Sequence, residues 1–254
     1  MRNRIRFSGE CRFFRKWRTF DPLKPAVPVK FAYASDRSLI VYLGEKIDLE
    51  THHRMLRLLR LLESQPIPGL RNLHPAYCSL MVVFDPLKQR HSRVEEILRK
   101  HIGNLETVTL PPPRTIEIPV CYGGEYGPDL NEVAALHGIS PERVIELHSA
   151  ARYNVYFLGF VPGYAYLGGL PPELVTPRLP VPRKQVPAGS VAIGGDQAGI
   201  YPLETPGGWR LIGKTPMPIF DSSQAEMSRL RIGDVVRFFP IPADKYSIFR
   251  AEFE

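Results

Sequence analysis

The sequence predicts a two-part α+β chain, a small mixed layer followed by a larger, mainly-β unit, and three observations carry this. Eleven of its twenty glycines fall between His148 and Asp221, threaded among prolines, aromatics and apolar strand formers. Glycine permits positive φ and close backbone approach, so this density within apolar sequence implies tightly turned strands. Upstream, the apolar pattern alternates between strand and helix periods in the order ββαββα, which suggests a small sheet with two helices on one face. Between them stands Pro111-Pro112-Pro113, which can neither continue a helix nor sit in a central strand.

The chain divides accordingly into residues 1–28, 29–110 and 111–254. The first stretch reads as a basic extension without fixed structure. Phe31–Ala34 and Leu39–Leu43 form two strands joined at Ser35-Asp36-Arg37. Asp48 caps a helix running to Glu63, with an apolar stripe of Leu49, Met55, Leu56, Leu59 and Leu62 and with His53, Arg57 and Arg60 towards water. Pro66, Pro68 and Gly69 end it. Leu70–Leu73 and Tyr77–Phe84 pair as strands, and Ser92–His101 is a helix with Val94, Ile97 and Leu98 inward. Beyond the prolines, Thr115–Tyr122 alternates as a strand. Two short helices follow over Asp129–Leu136 and Pro141–Ala150, and glycine-rich β-structure then runs to Pro240.

Charge narrows the function classes. Residues 1–30 hold nine Lys or Arg against Glu10 and Asp21, which accounts for the whole formal excess of +7. The remaining body is neutral and lacks the broad cationic face that a phosphate backbone requires. No apolar run reaches the length of a membrane span, and the basic tail has no continuous apolar core of a secretory signal. Cys11, Cys78 and Cys121 are odd in number and far apart, which predicts reduced thiols in the cytoplasm. No Cys, His or Asp spacing suggests a metal, and no GxSxG elbow is present.

Two motifs are formal matches only. DLNEVAALHGISPERVIELHSA has the cadence of a helix-turn-helix, yet Glu142 and Glu146 face outward beside only Arg143 and Arg152, so an αα-hairpin packed on a sheet is the better reading. Gly208 to Thr215 satisfies G-x-x-x-x-G-K-[ST]. A phosphate loop needs a following helix, whereas Trp209 to Ile212 is strand-like and Pro216 and Pro218 oppose a helix.

Longer blocks carry a resemblance. IPVCYGG at Ile118–Gly124, LHS at Leu147–Ser149, FLGFVPGYAYLGGLP from Phe157, TPR at Thr176–Arg178, VPAGSVAIGG from Val186, GIYPLETPGGW from Gly199 and IGKTP from Ile212 resemble the 5-oxoprolinase B-subunit family. That family is also described as allophanate hydrolase subunit 1 or KipI-like. The resemblance covers roughly Val29 to Ile241. It implies a ferredoxin-like α+β domain followed by a cyclophilin-like barrel, and a tight complex with a homologous C subunit. With a further A subunit, that assembly opens 5-oxo-L-proline to L-glutamate using ATP, with Mg2+, as co-substrate and no prosthetic group. The same resemblance leaves two alternatives: an inhibitor docked on a sensor histidine kinase, and one component of a hydrolase for allophanate or another urea-derived amide.

Within that frame the residues suggest roles. A lactam is an unactivated amide, so ATP would phosphorylate its oxygen before water attacks. Ser190 with Gly194-Gly195, and Thr205 with Gly207-Gly208, could offer backbone donors to an anion. Arg178 or Arg183 could grip a carboxylate or phosphate bidentately. His148, at a helix C-terminus, is the candidate for proton transfer, and Asp221 could orient a cation or a water. Gln197, Tyr201 and Trp209 would shape the pocket.

Overall fold

The computed structural model describes residues 29–253. The basic extension over residues 1–28 and Cys11 lie outside these residues. Strands β1 (Lys30–Ser35), β2 (Ser38–Tyr42), β3 (Leu70–Pro75) and β4 (Ser79–Phe84) form an antiparallel sheet in the order β1-β2-β4-β3. Helices α1 (Leu49–Ser64) and α2 (His91–Gly103) cover one face of it. Alternation decides which face: Leu39 and Val41 of β2 and Leu80 and Val82 of β4 join Met55, Leu58, Leu62, Val94 and Leu98 in one core.

Helix α1 starts where expected, because the Asp48 carboxylate accepts from Thr51 N–H at 2.8 Å. Its buried arc is rotated from the expected stripe. Leu49 is 46% exposed, while Thr51, His52 and Leu58 are buried. The reason is that α1 packs on two surfaces. Leu58 and Leu62 meet their own sheet, whereas His52 lies 4.6 Å from the Tyr156 ring and Leu56 lies beside Gly233, both in the second unit.

Residues 108–114, including the triple proline, carry no helix or strand. The second unit then comprises β5 (Thr115–Tyr122), α3 (Leu130–His137), α4 (Pro141–Ala150), β6 (Tyr153–Leu158), β7 (Ala165–Gly168), β8 (Arg183–Val186), β9 (Ser190–Gly194), β10 (Gln197–Ile200), β11 (Thr205–Gly207), β12 (Arg210–Lys214), β13 (Val235–Pro240) and α5 (Tyr246–Ala251). Seven of these strands close into a barrel, β10-β7-β6-β13-β5-β12-β9, with β8 and β11 paired as a separate ribbon. This closed barrel fits the cyclophilin-like expectation. Closure depends on β13 running parallel to β5 from Val235 opposite Thr115 to Pro240 opposite Val120.

Helices α3 and α4 form the αα-hairpin that the acidic outer face implied. Gly138 supplies the left-handed cap at φ 64° that ends α3, and Ser140 Oγ accepts from Arg143 N–H at 3.2 Å to start α4. Their buried Leu130, Val133 and Val144 join the barrel core, so neither helix presents a reading face to a groove.

Candidate functional site

The barrel has two lined faces, separated by the period of two along each strand. Inside are Ile118, Val120, Tyr153, Val155, Leu167, Val191, Ile193, Ala198, Ile200, Ile212, Val236 and Phe238, which come from all seven strands. The opposite side chains on β7, β9 and β12 gather outside, where Tyr164, Ala192, Tyr201, Trp209 and Leu211 form a second buried cluster with Val186 of the ribbon and Tyr166 at its edge.

Glycine makes this outer face possible, by a different means from the one expected. A Cβ on Gly194 would sit 2.7 Å from the Trp209 ring and one on Gly199 would sit 2.6 Å from the Tyr164 hydroxyl. A Cβ on Gly207 would overlap the Tyr201 hydroxyl, and one on Gly168 the Tyr156 ring. The missing side chains are seats for aromatic rings laid on the barrel. The Gly195 amide is already taken, donating to Thr176 O at 2.7 Å; Gly194 stands opposite Gln197 and Gly207 opposite Arg183 in the strand register, and Gly208 O accepts from Leu179 N–H at 2.7 Å. Ser190 is likewise absorbed into the fold, buried and with its carbonyl accepting from Tyr201 N–H at 2.9 Å.

The two expected arginines do come to this face, in different states. Arg178 lies exposed with its guanidinium 5.6 Å from the Trp209 ring centroid, and among the described residues it makes no hydrogen bond or ion pair. Its charge acts on the hydroxyls of Tyr77, Tyr164, Tyr166 and Tyr201, favouring their ionised form, but burial outweighs it and pushes all four upward. These phenols therefore stay protonated. Arg183 is anchored instead. Its Nη2 donates to Asp129 Oδ1 at 2.6 Å, and Asp129 Oδ2 accepts from Leu211 N–H at 2.7 Å. Its Nη1 is buried and has no partner, as is Thr205 Oγ1 on the ribbon. Because Asp129 is 5% exposed, Asp129→Ala should leave a partly buried cation uncompensated and lower stability by about 3 kcal/mol, read as a shift of the urea midpoint.

Three further features were not anticipated as part of the site. Tyr77 reaches it from the turn between β3 and β4, edge-on to Phe157 at 4.7 Å and 5.9 Å from Tyr166. Asp196, in the β9–β10 turn beside Gln197, acts on Tyr77 and Tyr156 by its charge. Phe160 stands 60% exposed at the rim, at φ 69° in a γ-turn closed by Val161 N–H to Gly159 O at 2.9 Å, with its ring 5.5 Å from Tyr164. A non-glycine residue held at positive φ is a strained arrangement, of the sort that clusters at binding sites.

The expected acid–base residues lie elsewhere. His148 is fully buried inside the barrel, stacked on Phe238 at 4.6 Å, with Nδ1 2.8 Å from the Tyr122 hydroxyl and Nε2 unpartnered. The barrel wall stands between it and the outer face, so the expected proton transfer has no route in this geometry. A helix C-terminus favours imidazolium, but complete desolvation dominates and lowers His148 to about 3. Asp221 is exposed and occupied within its own loop, accepting from Ser223 N–H at 2.9 Å and Ser223 Oγ at 2.7 Å. Those bonds hold its carboxyl below the ordinary range.

Buried neutral histidines make stability sensitive to acid. Burial and neighbouring His53 lower His52 to about 4, and its ring nitrogens are unpartnered. Below the ordinary value of 6.5 the unfolded chain protonates at both sites while the folded chain does not, so stability is complete above that pH and falls as pH drops towards 4. Each histidine contributes a slope of about 1.4 kcal/mol per pH unit in that window. Urea titrations at pH 7.5, 5.5 and 4.5 should show the decline, and His148→Gln should remove about half of it.

The formal phosphate loop is a strand. Arg210–Lys214 is β12, and residues 215–242 hold no helix. Among the described residues no group of three or more His, Cys, Asp or Glu is placed to hold a metal ion, and no helix is long and apolar enough to cross a membrane. Cys78 and Cys121 are free thiols.

Comparison with known proteins places this arrangement. Residues 29–230 match the family of the carboxyltransferase domain, subdomain C and D. The chain is 44% identical over 212 residues to the 5-oxoprolinase B subunit of Escherichia coli, covering 81% of this chain and 93% of that protein. To the 5-oxoprolinase B subunit of Bacillus subtilis it is 39% identical over 231 residues, covering 85% of this chain and 95% of the relative. The crystal structure of TTHA0988 superposes with a TM-score of 0.72 at 39% identity over 82% of this chain, which spans 40% of the length of that one. The K. lactis urea amidolyase, 20% identical with a TM-score of 0.74 over 91% of this chain and 16% of its own, shares the fold. The chain belongs to the carboxyltransferase subdomain C and D family, and within it to the group of 5-oxoprolinase B subunits.

Proposed function

We propose that this chain is the B subunit of an ATP-dependent 5-oxoprolinase, working with a homologous C subunit and with an A subunit to open 5-oxo-L-proline to L-glutamate. The names of the relatives at 39% and 44% identity support the activity class. The observation that supports this chain's share is Arg178: an exposed guanidinium 5.6 Å from the Trp209 ring centroid, with no hydrogen bond or ion pair among the described residues, is free to receive a small carboxylate. Arg178 holds the substrate carboxylate, while Arg183 Nη1 and Thr205 Oγ1 offer further polar contacts beside it. In this reading Gln197 borders the bound substrate, with the buried Tyr201 and Trp209 rings beneath it.

ATP and its Mg2+ belong to another subunit in this account. The one sequence match to a phosphate loop is a β-strand, and the Gly195 amide is already bonded to Thr176 O. This chain is therefore inactive by itself, and a cytoplasmic location suits a reaction that consumes ATP. We also read residues 29–110 as a ferredoxin-like domain and 111–254 as the barrel domain. Support for the first comes from the strand order β1-β2-β4-β3, which is the split β-α-β order with its last strand moved to the front. Reconstitution of the three-subunit complex tests the function. ADP release should require 5-oxoproline and all three subunits; turnover without this chain, or without 5-oxoproline, contradicts the assignment.

A further inference from the structure

The turn that carries Tyr77 is held on both sides. Ala76 N–H donates to Ser79 O and Leu43 N–H to Cys78 O, each at 2.8 Å, and the Cys78 thiol lies 3.0 Å from Lys46 O. The ring is wedged among barrel aromatics, 5.7 Å from Tyr156, 4.7 Å from Phe157 and 5.9 Å from Tyr166. Yet its hydroxyl is buried and has no hydrogen-bond partner among the described residues. A buried hydroxyl is normally bonded, and one kept unpaired in a rigid turn is poised for something absent from the free chain.

Its neighbours indicate what. The Tyr77 ring lies 5.9 Å from Tyr166, which lies 6.2 Å from Trp209, the ring beneath Arg178, so Tyr77 belongs to the same aromatic face as the carboxylate grip. Thr205 Oγ1 and Arg183 Nη1 on the adjoining ribbon are buried and unpaired in the same way. 5-Oxoproline carries its carboxylate and its lactam carbonyl on the two carbons flanking the ring nitrogen. A site that holds the first with Arg178 needs a donor for the second.

We propose that Tyr77 Oη donates a hydrogen bond to the amide carbonyl oxygen of the bound substrate. The first unit then forms a specificity-determining wall of the site in addition to supporting the barrel. This rests on the small-amide reading above, and the test separates the two. Calorimetric titration of the assembled complex, wild type and Tyr77→Phe, uses three probes: 5-oxo-L-proline, the urea-derived acid N-carbamoylglycine, and cyclopentanecarboxylate, which keeps ring and carboxylate but lacks the carbonyl. Phenylalanine preserves the wedged ring, so the fold is retained. The variant should bind 5-oxoproline about tenfold more weakly and cyclopentanecarboxylate unchanged. Equal loss for both ligands, or no loss for either, overturns the Tyr77 role while leaving the substrate assignment in place. Wild-type binding of N-carbamoylglycine but not 5-oxoproline, weakened tenfold in the variant, would refute the substrate assignment and uphold Tyr77. Binding of neither amide refutes both.

Discussion

Replacing Arg178 with alanine should lower 5-oxoproline-dependent ATP hydrolysis by the reconstituted complex by about 30- to 1,000-fold, equivalent to about 2–4 kcal/mol. The expectation rests on what surrounds the side chain. Arg183 shares its charge with Asp129, whereas Arg178 has no acidic partner among the described residues and stacks on Trp209. A carboxylate arriving there replaces water on a cation already oriented by an aromatic ring. Arg178→Lys keeps the charge but loses the planar fork and the stacking, so it should recover only a small part of the rate. If the contact is made equally in the ground and transition states, the loss appears mainly in KM. Unchanged turnover for Arg178→Ala would remove the anion grip from the account.

Trp209→Ala should destabilise the chain by about 3–5 kcal/mol, the usual range for deleting a buried large aromatic. Trp209 is 5% exposed and lies on the space left by Gly194, 6.0 Å from Tyr164 and 6.2 Å from Tyr166. Its removal takes the floor from beneath Arg178 and opens a void that the neighbouring rings cannot fill. Denaturant unfolding should show the lower midpoint, and Trp209→Phe should restore more than half of it. Gly194→Ala should also destabilise, since its methyl would meet the indole at 2.7 Å. A Trp209→Ala chain with a wild-type midpoint would mean that the outer cluster is not a packed platform.

Local signals carried much of the fold. Asp48 caps the helix it was expected to cap, because a short polar side chain ahead of a helical pattern has one favourable use. Thr115–Tyr122 alternates and is a strand. The glycine-rich blocks show where side chains are missing, and only packing shows that aromatic rings fill the space. His148 illustrates the complementary limit. Its place at a helix end is legible, while the barrel wall that buries it is built from strands distant in the chain. Tyr77 left no signal, since it precedes every other outer-face residue by about eighty positions or more and is brought there by the docking of the two units. Leu49 was misplaced because the apolar pattern of α1 gives no hint that the helix serves two surfaces.

A crystal structure of the assembled complex soaked with 5-oxo-L-proline, with the nucleotide omitted so that the lactam persists, is the most direct test of where the chemistry sits. The ligand should lie on the outer aromatic face, its carboxylate on the Arg178 guanidinium above Trp209. Density inside the barrel beside His148, or elsewhere in the complex with Arg178 still open to solvent, would contradict the account.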